Sequence, residues 1–362
     1  MTTQQTTATN FTADGLPTLI GSLPVTSHDE ALELIFANTP AIPLWPQLPS
    51  IHYEGMLNQF IEGFPGIIEE DGKTYFKIDT GEFEQEHLKF FEEYLASVEA
   101  PENLDKTRFR VSGERAAGIY LLADKAKKIN DLRAIKGQIT GPFTLLTGLK
   151  DHQKRAAFYD PTIREMAVKG LAQKAAWQVQ MLSQCNVPVI VFIDEPALAG
   201  LGSSEFISIN KEDIGQDITE VIDAIHQSGG LAGVHVCANT DWNLLFAIDL
   251  NIISFDAYSF FDRFITSKDQ VHRYLDRGGI IAWGIVPTSE EEHITGETSD
   301  SLAAKWEEQA AQLETGNRDK KALLKQTLIT PSCGTGSLTR ALAVKVLELT
   351  RDVSRTLREK YL

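Results

Sequence analysis

The stretch "VPVIVFID" (Val187 to Asp194) decides how the rest of the chain is read. It is a short, continuous apolar run rich in β-branched residues that stops at an acid, and a longer segment of helical periodicity follows it. That is the pattern of a buried strand leading into a helix, the repeating unit of a parallel sheet. Seven other runs share it: "TLIGS" (18–22), "AIPLW" (41–45), "AIKGQIT" (134–140), "LAGVHVC" (231–237), "NIISFD" (251–256), "GIIAWGI" (279–285) and "TLITPSC" (327–333). Eight strands with helices between them predict an α/β fold of the (β/α)8 TIM-barrel kind, with an open doubly wound sheet as the alternative. A single catalytic domain over residues 16–362 is expected, because barrels of this class run longer than ordinary domains.

The spacing is uneven at one place. About ninety residues separate the second run from the third, far more than one crossover helix needs. Within them Asp71-Gly72 lies between strand-like stretches of "GIIEEDGKTYFKID", which is a hairpin signal, and helices are expected over 82–99 and 114–128. The sequence therefore predicts an insertion between strands 2 and 3, at about 52–130. Residues 1–15, "MTTQQTTATNFTADG", hold no Lys or Arg and no apolar core, so they read as a flexible tail and not as a signal or transit peptide.

A formal net charge of -16 argues against a nucleic-acid partner, since phosphate backbones are held by clustered Lys and Arg. No run approaches the roughly 18 apolar residues that cross a bilayer, so no membrane association is expected. Cys185, Cys237 and Cys333 are too few and too widely spaced for a disulfide framework. They fit a reducing compartment, and a cytoplasmic location is expected.

In a barrel the C-terminal strand ends and the loops after them build the site. Here they carry Gly21 and Ser22, Asp194 and Glu195, His235 and Cys237, Asp256, and Cys333. His235 and Cys237 are two apart on a strand and face the same side. Singly, each cysteine reads as a small buried hydrophobe and the histidine as a core residue. Together, one imidazole and two thiolates suit Zn2+, which takes tetrahedral N/S ligands and keeps a fourth position open when it is catalytic. Asp256 offers a carboxylate for that position. Gly334 and Gly336 in "CGTGS" permit a sharp turn beside the Cys333 sulfur. Asp194 has two readings: a cap for the short helix opened by Pro196, or, with Glu195, an acceptor for an ammonium group in the mouth of the barrel. Glu54, in "PSIHYEGML", is a further acceptor of that kind.

Set side by side, "IGSLP", "HYEG", "GQITGPFTLL", "FIDEPAL", "VHVCANTDW" and "TPSCGTGS" resemble the C-terminal catalytic barrel of cobalamin-independent methionine synthases. That barrel belongs to the superfamily of uroporphyrinogen decarboxylase and the methylcobalamin:coenzyme M methyltransferases. The resemblance spans residues 20 to 337 and implies a short, core-type methionine synthase. By it, His235, Cys237 and Cys333 fall on the zinc ligands, and Asp256 stands where the synthases carry a glutamate ligand. Ile20 and Ser22 fall where the homocysteine carboxylate is held, and Glu54 and Asp194 where its amino group is held.

Two departures bear on the methyl donor. A tryptophan that stacks on folate in the family aligns near Gly148, and the histidine linked to proton delivery is replaced by Val286 in "WGIVPTS". Methyltetrahydrofolate expels an amine that has to be protonated, whereas methylcobalamin expels cob(I)alamin without a proton. The expected donor is therefore methylcobalamin or another methylated corrinoid, free or carried by a corrinoid protein. The alternatives are methyl transfer to coenzyme M or another small thiol, a decarboxylase of the uroporphyrinogen type, and a non-catalytic barrel that binds a corrinoid protein. The decarboxylase calls for arginines in the cleft, yet the first arginine in the chain is Arg108.

Overall fold

The computed structural model describes residues 11–203, 206 and 208–362. In chain order its strands are β1 (Ile67–Glu70), β2 (Lys73–Phe76), β3 (Ile135–Thr140), β4 (Lys150–Asp151), β5 (Val189–Asp194), β6 (Leu231–Val236), β7 (Ile252–Phe255), β8 (Ile280–Val286) and β9 (Thr327–Pro331). The α-helices are α1 (His28–Asn38), α2 (Gly81–Glu99), α3 (Gly113–Ala126), α4 (Pro142–Gly148), α5 (Pro161–Ser183), α6 (Lys211–Gln227), α7 (Trp242–Phe246), α8 (Ala257–Phe264), α9 (Lys268–Asp276), α10 (Glu291–Gly296), α11 (Ser299–Ala311), α12 (Lys320–Lys325) and α13 (Arg340–Tyr361).

Six of the eight expected strands form one curled, all-parallel sheet in the order β3-β5-β6-β7-β8-β9, a half-barrel in an α/β fold. The first two runs do not become ladders. Pro43 lies within the second run, and Pro17, Pro24, Pro46 and Pro49 border the two; a proline has no N–H to give a sheet. The runs make single parallel bridges instead, Pro17 to Ile329, Ser22 to Gln47, and Leu44 to Lys136. The Thr18 amide donates to the Ile329 carbonyl at 3.0 Å and the Lys136 amide to the Pro43 carbonyl at 2.9 Å. Both margins of the sheet are thus occupied by one stretch of chain that runs from β9 across to β3.

Strand alternation sorts the side chains into two cores. On β5, Val189, Val191 and Ile193 pack outward under the helices, while Ile190 and Phe192 face inward with Leu16, Ile20, Ile42, Ile252, Ala282 and Leu328. The same alternation turns Lys136, Gln138, Asp194, His235, Ser254 and Thr330 toward the interior. The interior is therefore apolar at one end and polar toward the carboxyl ends of the strands.

The stretch between the second run and β3 carries the expected hairpin and helices. β1 and β2 pair antiparallel across Asp71 (φ 51) and Gly72 (φ 71), the two positive values that a type I′ turn demands. β2 continues parallel to β4, and α2 and α3 match the helices expected over 82–99 and 114–128. α3 packs in the helical layer against α1 and α5. Of the expected tail, residues 1–10 lie outside the described residues. Residues 11–15 correct the reading: Ala13 is fully buried, and the Asp14 and Gly15 amides donate to Lys325 and Thr327. None of the described helices is long and apolar enough to cross a membrane.

Lys174 on α5 is fully buried, and its Nζ has one long hydrogen bond, 3.4 Å, to the Arg108 carbonyl. Burial, helped by Arg115 and Arg108, pushes its pKa down to about 7. The unfolded chain therefore binds a proton here more tightly than the folded one. This group's stabilising contribution is complete above the unfolded value of 10.5 and is lost as the pH falls to about 7. Lys174→Met is expected to raise stability at pH 7 by about 1–4 kcal/mol and to remove that part of the pH slope, as read from urea midpoints at pH 7 and 10.

Candidate metal centre

His235 is held by its neighbours on the sheet. Its ring lies inside the curl, 3% exposed, with Nδ1 hydrogen-bonded to Ser254 Oγ at 2.9 Å from the adjacent strand β7. The other nitrogen, Nε2, is buried and has no partner. Burial, with the Lys136 ammonium as a second cause, pushes the pKa down to about 3, so the ring is neutral over the ordinary pH range. A neutral imidazole with one nitrogen anchored and the other bare has the form of a metal-ligating histidine.

Cys237 follows directly after β6. Cys333 follows β9 in a turn that wraps around Ser22: the Thr335 amide and hydroxyl donate to the Ser22 carbonyl at 2.9 and 3.0 Å, and the Gly336 amide donates to Ser22 Oγ at 3.2 Å. A Cβ at Gly334 would lie 2.2 Å from Ser22 Oγ and would turn that hydroxyl away from the Gly336 amide. One donor atom each from His235, Cys237 and Cys333 lies within 4.8 Å of the others, and both cysteines are half-buried. A hydrogen bond between the sulfurs lowers the Cys237 pKa and raises that of Cys333. Two sulfurs and one nitrogen match the donor chemistry of zinc.

Asp256, expected as a fourth ligand, stands outside this group. Its Oδ1 caps α8 by accepting from the Ser259 amide at 2.8 Å, and burial is the main cause of a raised pKa. Asp194 does reach the interior. Its Oδ1 is buried without a partner, and burial pushes its pKa up to about 7 against the opposing pull of Lys136. The Pro196–Gly200 turn has no side-chain cap, so the capping alternative for Asp194 is not realised.

Glu195 points elsewhere and is not free to bind a ligand. It is fully buried and accepts from the Phe143 amide (2.9 Å), the Thr144 amide (2.8 Å) and the Thr144 hydroxyl (2.6 Å), which caps α4. Glu54 is also engaged, by His28 Nε2 at 2.7 Å and the Leu48 amide at 2.9 Å, with only 1% of its surface exposed. In this arrangement it orders the loop after the second run. Ser22 sits at the mouth beside the Cys333 turn. Ile20 lies just below, its side chain in the inner apolar cluster and its carbonyl accepting from Lys136 Nζ at 2.6 Å.

Sequence reasoning missed Lys136 and Gln138. Lys136 is fully buried, with Nζ 4.3 Å from the centre of the Phe192 ring, and burial brings its pKa down to about 8. Gln138 is 2% exposed, and its side-chain oxygen has no partner. The signal was present: Lys136, Gln138 and Thr140 alternate along an otherwise apolar run, so all three face inward.

No protein-family profile matches the sequence, and no curated protein is significantly similar to it. Among solved structures, the chain is similar to a Listeria monocytogenes protein provisionally named a vitamin-B12 independent methionine synthase. The identity is 18% and the TM-score 0.45, over 67% of this chain and 69% of that one. It is also similar to the tandem GH20 catalytic modules of the pneumococcal exo-β-D-N-acetylglucosaminidase StrH, at 10% identity and TM-score 0.47, over 94% of this chain and 85% of that one.

Proposed function

We propose that this protein is a zinc-dependent methyltransferase on a (β/α)8 barrel, with residues 52–130 inserted after the second strand. It moves a methyl group from a methylated corrinoid such as methylcobalamin to the thiol of homocysteine. The observation that carries the reading is the cluster of donor atoms from His235, Cys237 and Cys333 within 4.8 Å of one another, beside a His235 Nε2 that is buried and bare. A polar atom buried without a partner is costly, and a metal ion satisfies this one while using both sulfurs.

Zinc at this centre would keep the substrate sulfur as thiolate, the form that attacks a methyl group. The rest falls to the chain. Ser254 anchors Nδ1 and leaves Nε2 as the free nitrogen of the His235 ring. Asp194 Oδ1, bare and half-way up the mouth, accepts from the ammonium group of the amino acid, and Ser22 lies on the side where its carboxylate would rest. These contacts set the sulfur in line with the donor, which is a positioning term. The donor assignment is supported by Val286, which is fully buried in the hydrophobic core and offers no proton to a leaving amine. Gly148 itself carries no ring on which a pterin could stack.

The test is an assay of zinc-loaded protein with homocysteine and either methylcobalamin or methyltetrahydrofolate. Methionine formed with methylcobalamin and one zinc per chain is the expected result. Turnover with the folate alone overturns the donor, and turnover with coenzyme M but not homocysteine overturns the acceptor.

A further inference from the structure

The side-chain amide of Gln138 cannot turn freely. Its Nε2 donates to the Trp45 carbonyl at 2.9 Å; the Trp45 indole donates to Gln178 Oε1 at 3.0 Å; and Gln178 Nε2 donates to the Gln138 carbonyl at 3.0 Å. Trp45, Gln178 and Gln138 are all buried, so three residues from the second run, α5 and β3 close one loop of hydrogen bonds. Reversing the Gln138 amide would set its oxygen against the Trp45 carbonyl, two acceptors face to face, so the orientation is fixed. Gly137 makes room for this loop, since a Cβ there would lie 2.7 Å from Gln178 Oε1.

The consequence is an acceptor aimed into the interior with nothing to accept. Gln138 Oε1 and Asp194 Oδ1 are both buried and bare. In the register of β3 with β5, Gln138 pairs with Phe192 and Thr140 with Asp194. The two acceptors therefore enter from adjacent strands, two residues apart along the strand, about 6–7 Å of rise. The Gln138 amide also lies against the strand end at Gly21, with Cδ 3.3 Å from where a Cβ of that glycine would be. The hydroxyl of Thr330 is likewise bare, but it rotates and serves as donor or acceptor alike. Gln138 thus presents a fixed neutral oxygen acceptor.

Charge explains why an amide stands there. Lys136 and Asp194 are buried within one interior, and each draws the other toward its charged form against the effect of burial. A second carboxylate would leave an uncompensated negative charge in a low-dielectric interior, whereas an amide oxygen adds an acceptor at no such cost.

We propose that Gln138 is a specificity-determining residue whose side-chain oxygen accepts a hydrogen bond from the ammonium group of an amino-acid thiol bound at the His235, Cys237 and Cys333 centre. This rests on the thiol-methylation reading above. It makes the site discriminate for the amine and not only for the sulfur, because a thiol lacking the amine leaves both bare acceptors unsatisfied.

The test compares wild type with Gln138→Leu, using homocysteine and 4-mercaptobutanoate, the same chain without its amine. Calorimetric binding of both thiols to zinc-loaded protein is measured beside methylation. For Gln138→Leu, affinity and KM for homocysteine are expected to worsen about tenfold or more, with 4-mercaptobutanoate changed less than about twofold. Gln138→Met serves if the leucine variant does not fold. Equal losses with both thiols, or no loss with homocysteine, overturn the proposal; the second result would mean that Oε1 holds an internal water only. A wild type that binds homocysteine more tightly than its amine-free analogue but methylates neither overturns the methyltransferase reading while the binding comparison still judges Gln138.

Discussion

Replacing Cys333 with serine is expected to abolish methyl transfer and to lower zinc affinity by on the order of 100-fold or more, while the fold survives. A serine hydroxyl does not ionise near neutral pH and is a hard donor where zinc prefers thiolate. The fold should persist because the turn is held by Thr335 and Gly336 on Ser22 and not by the sulfur. Zinc per chain, competition against a chromophoric chelator and the melting temperature separate these effects. Full zinc content with undiminished methyl transfer would remove the basis of the proposed function.

Glu195→Ala acts on stability and carries the second large effect, a loss of about 3–5 kcal/mol. The carboxyl group satisfies three buried donors at once, the amides of Phe143 and Thr144 and the Thr144 hydroxyl. It thereby ties the end of β5 to the start of α4. Gly141→Ala should cost a comparable amount by the opposite route, since the new methyl would lie 2.1 Å from Glu195 Cδ. Urea unfolding at pH 7 reads both. A change under about 1 kcal/mol for Glu195→Ala would mean that water or rearrangement serves those donors equally well.

These two residues also show how far the sequence could be read. The period-two pattern was enough to place His235 and Cys237 on one face and to mark six strands of the sheet, because burial of a strand is a local property of its residues. The late cysteine followed from its place after the last run. No local pattern exposes the hydrogen bonds that Glu195 and Glu54 make: their partners Thr144 and His28 are 51 and 26 residues away. Asp256 was legible as an acid at a strand end, but whether such an acid faces a metal or caps the next helix depends on a rotamer. The tail was drawn too long because Asp14 and Gly15 gain their bonds from Lys325 and Thr327, more than three hundred positions later. Lys136 was passed over within a run counted as a strand, although a charge at an inward position of a buried strand is itself the anomaly worth following.

The proline-rich stretch that joins β9 to β3 has a further result for life in a crowded solution. A parallel sheet left open presents two rows of free amides and carbonyls to which strands from neighbouring molecules can add, the first step toward fibrils. Here those rows are bonded within the molecule, by Thr18 on Ile329 and by Lys136 on Pro43, through segments whose own prolines make them poor templates in turn. The chain seals its most adhesive surfaces with sequence unsuited to polymerisation.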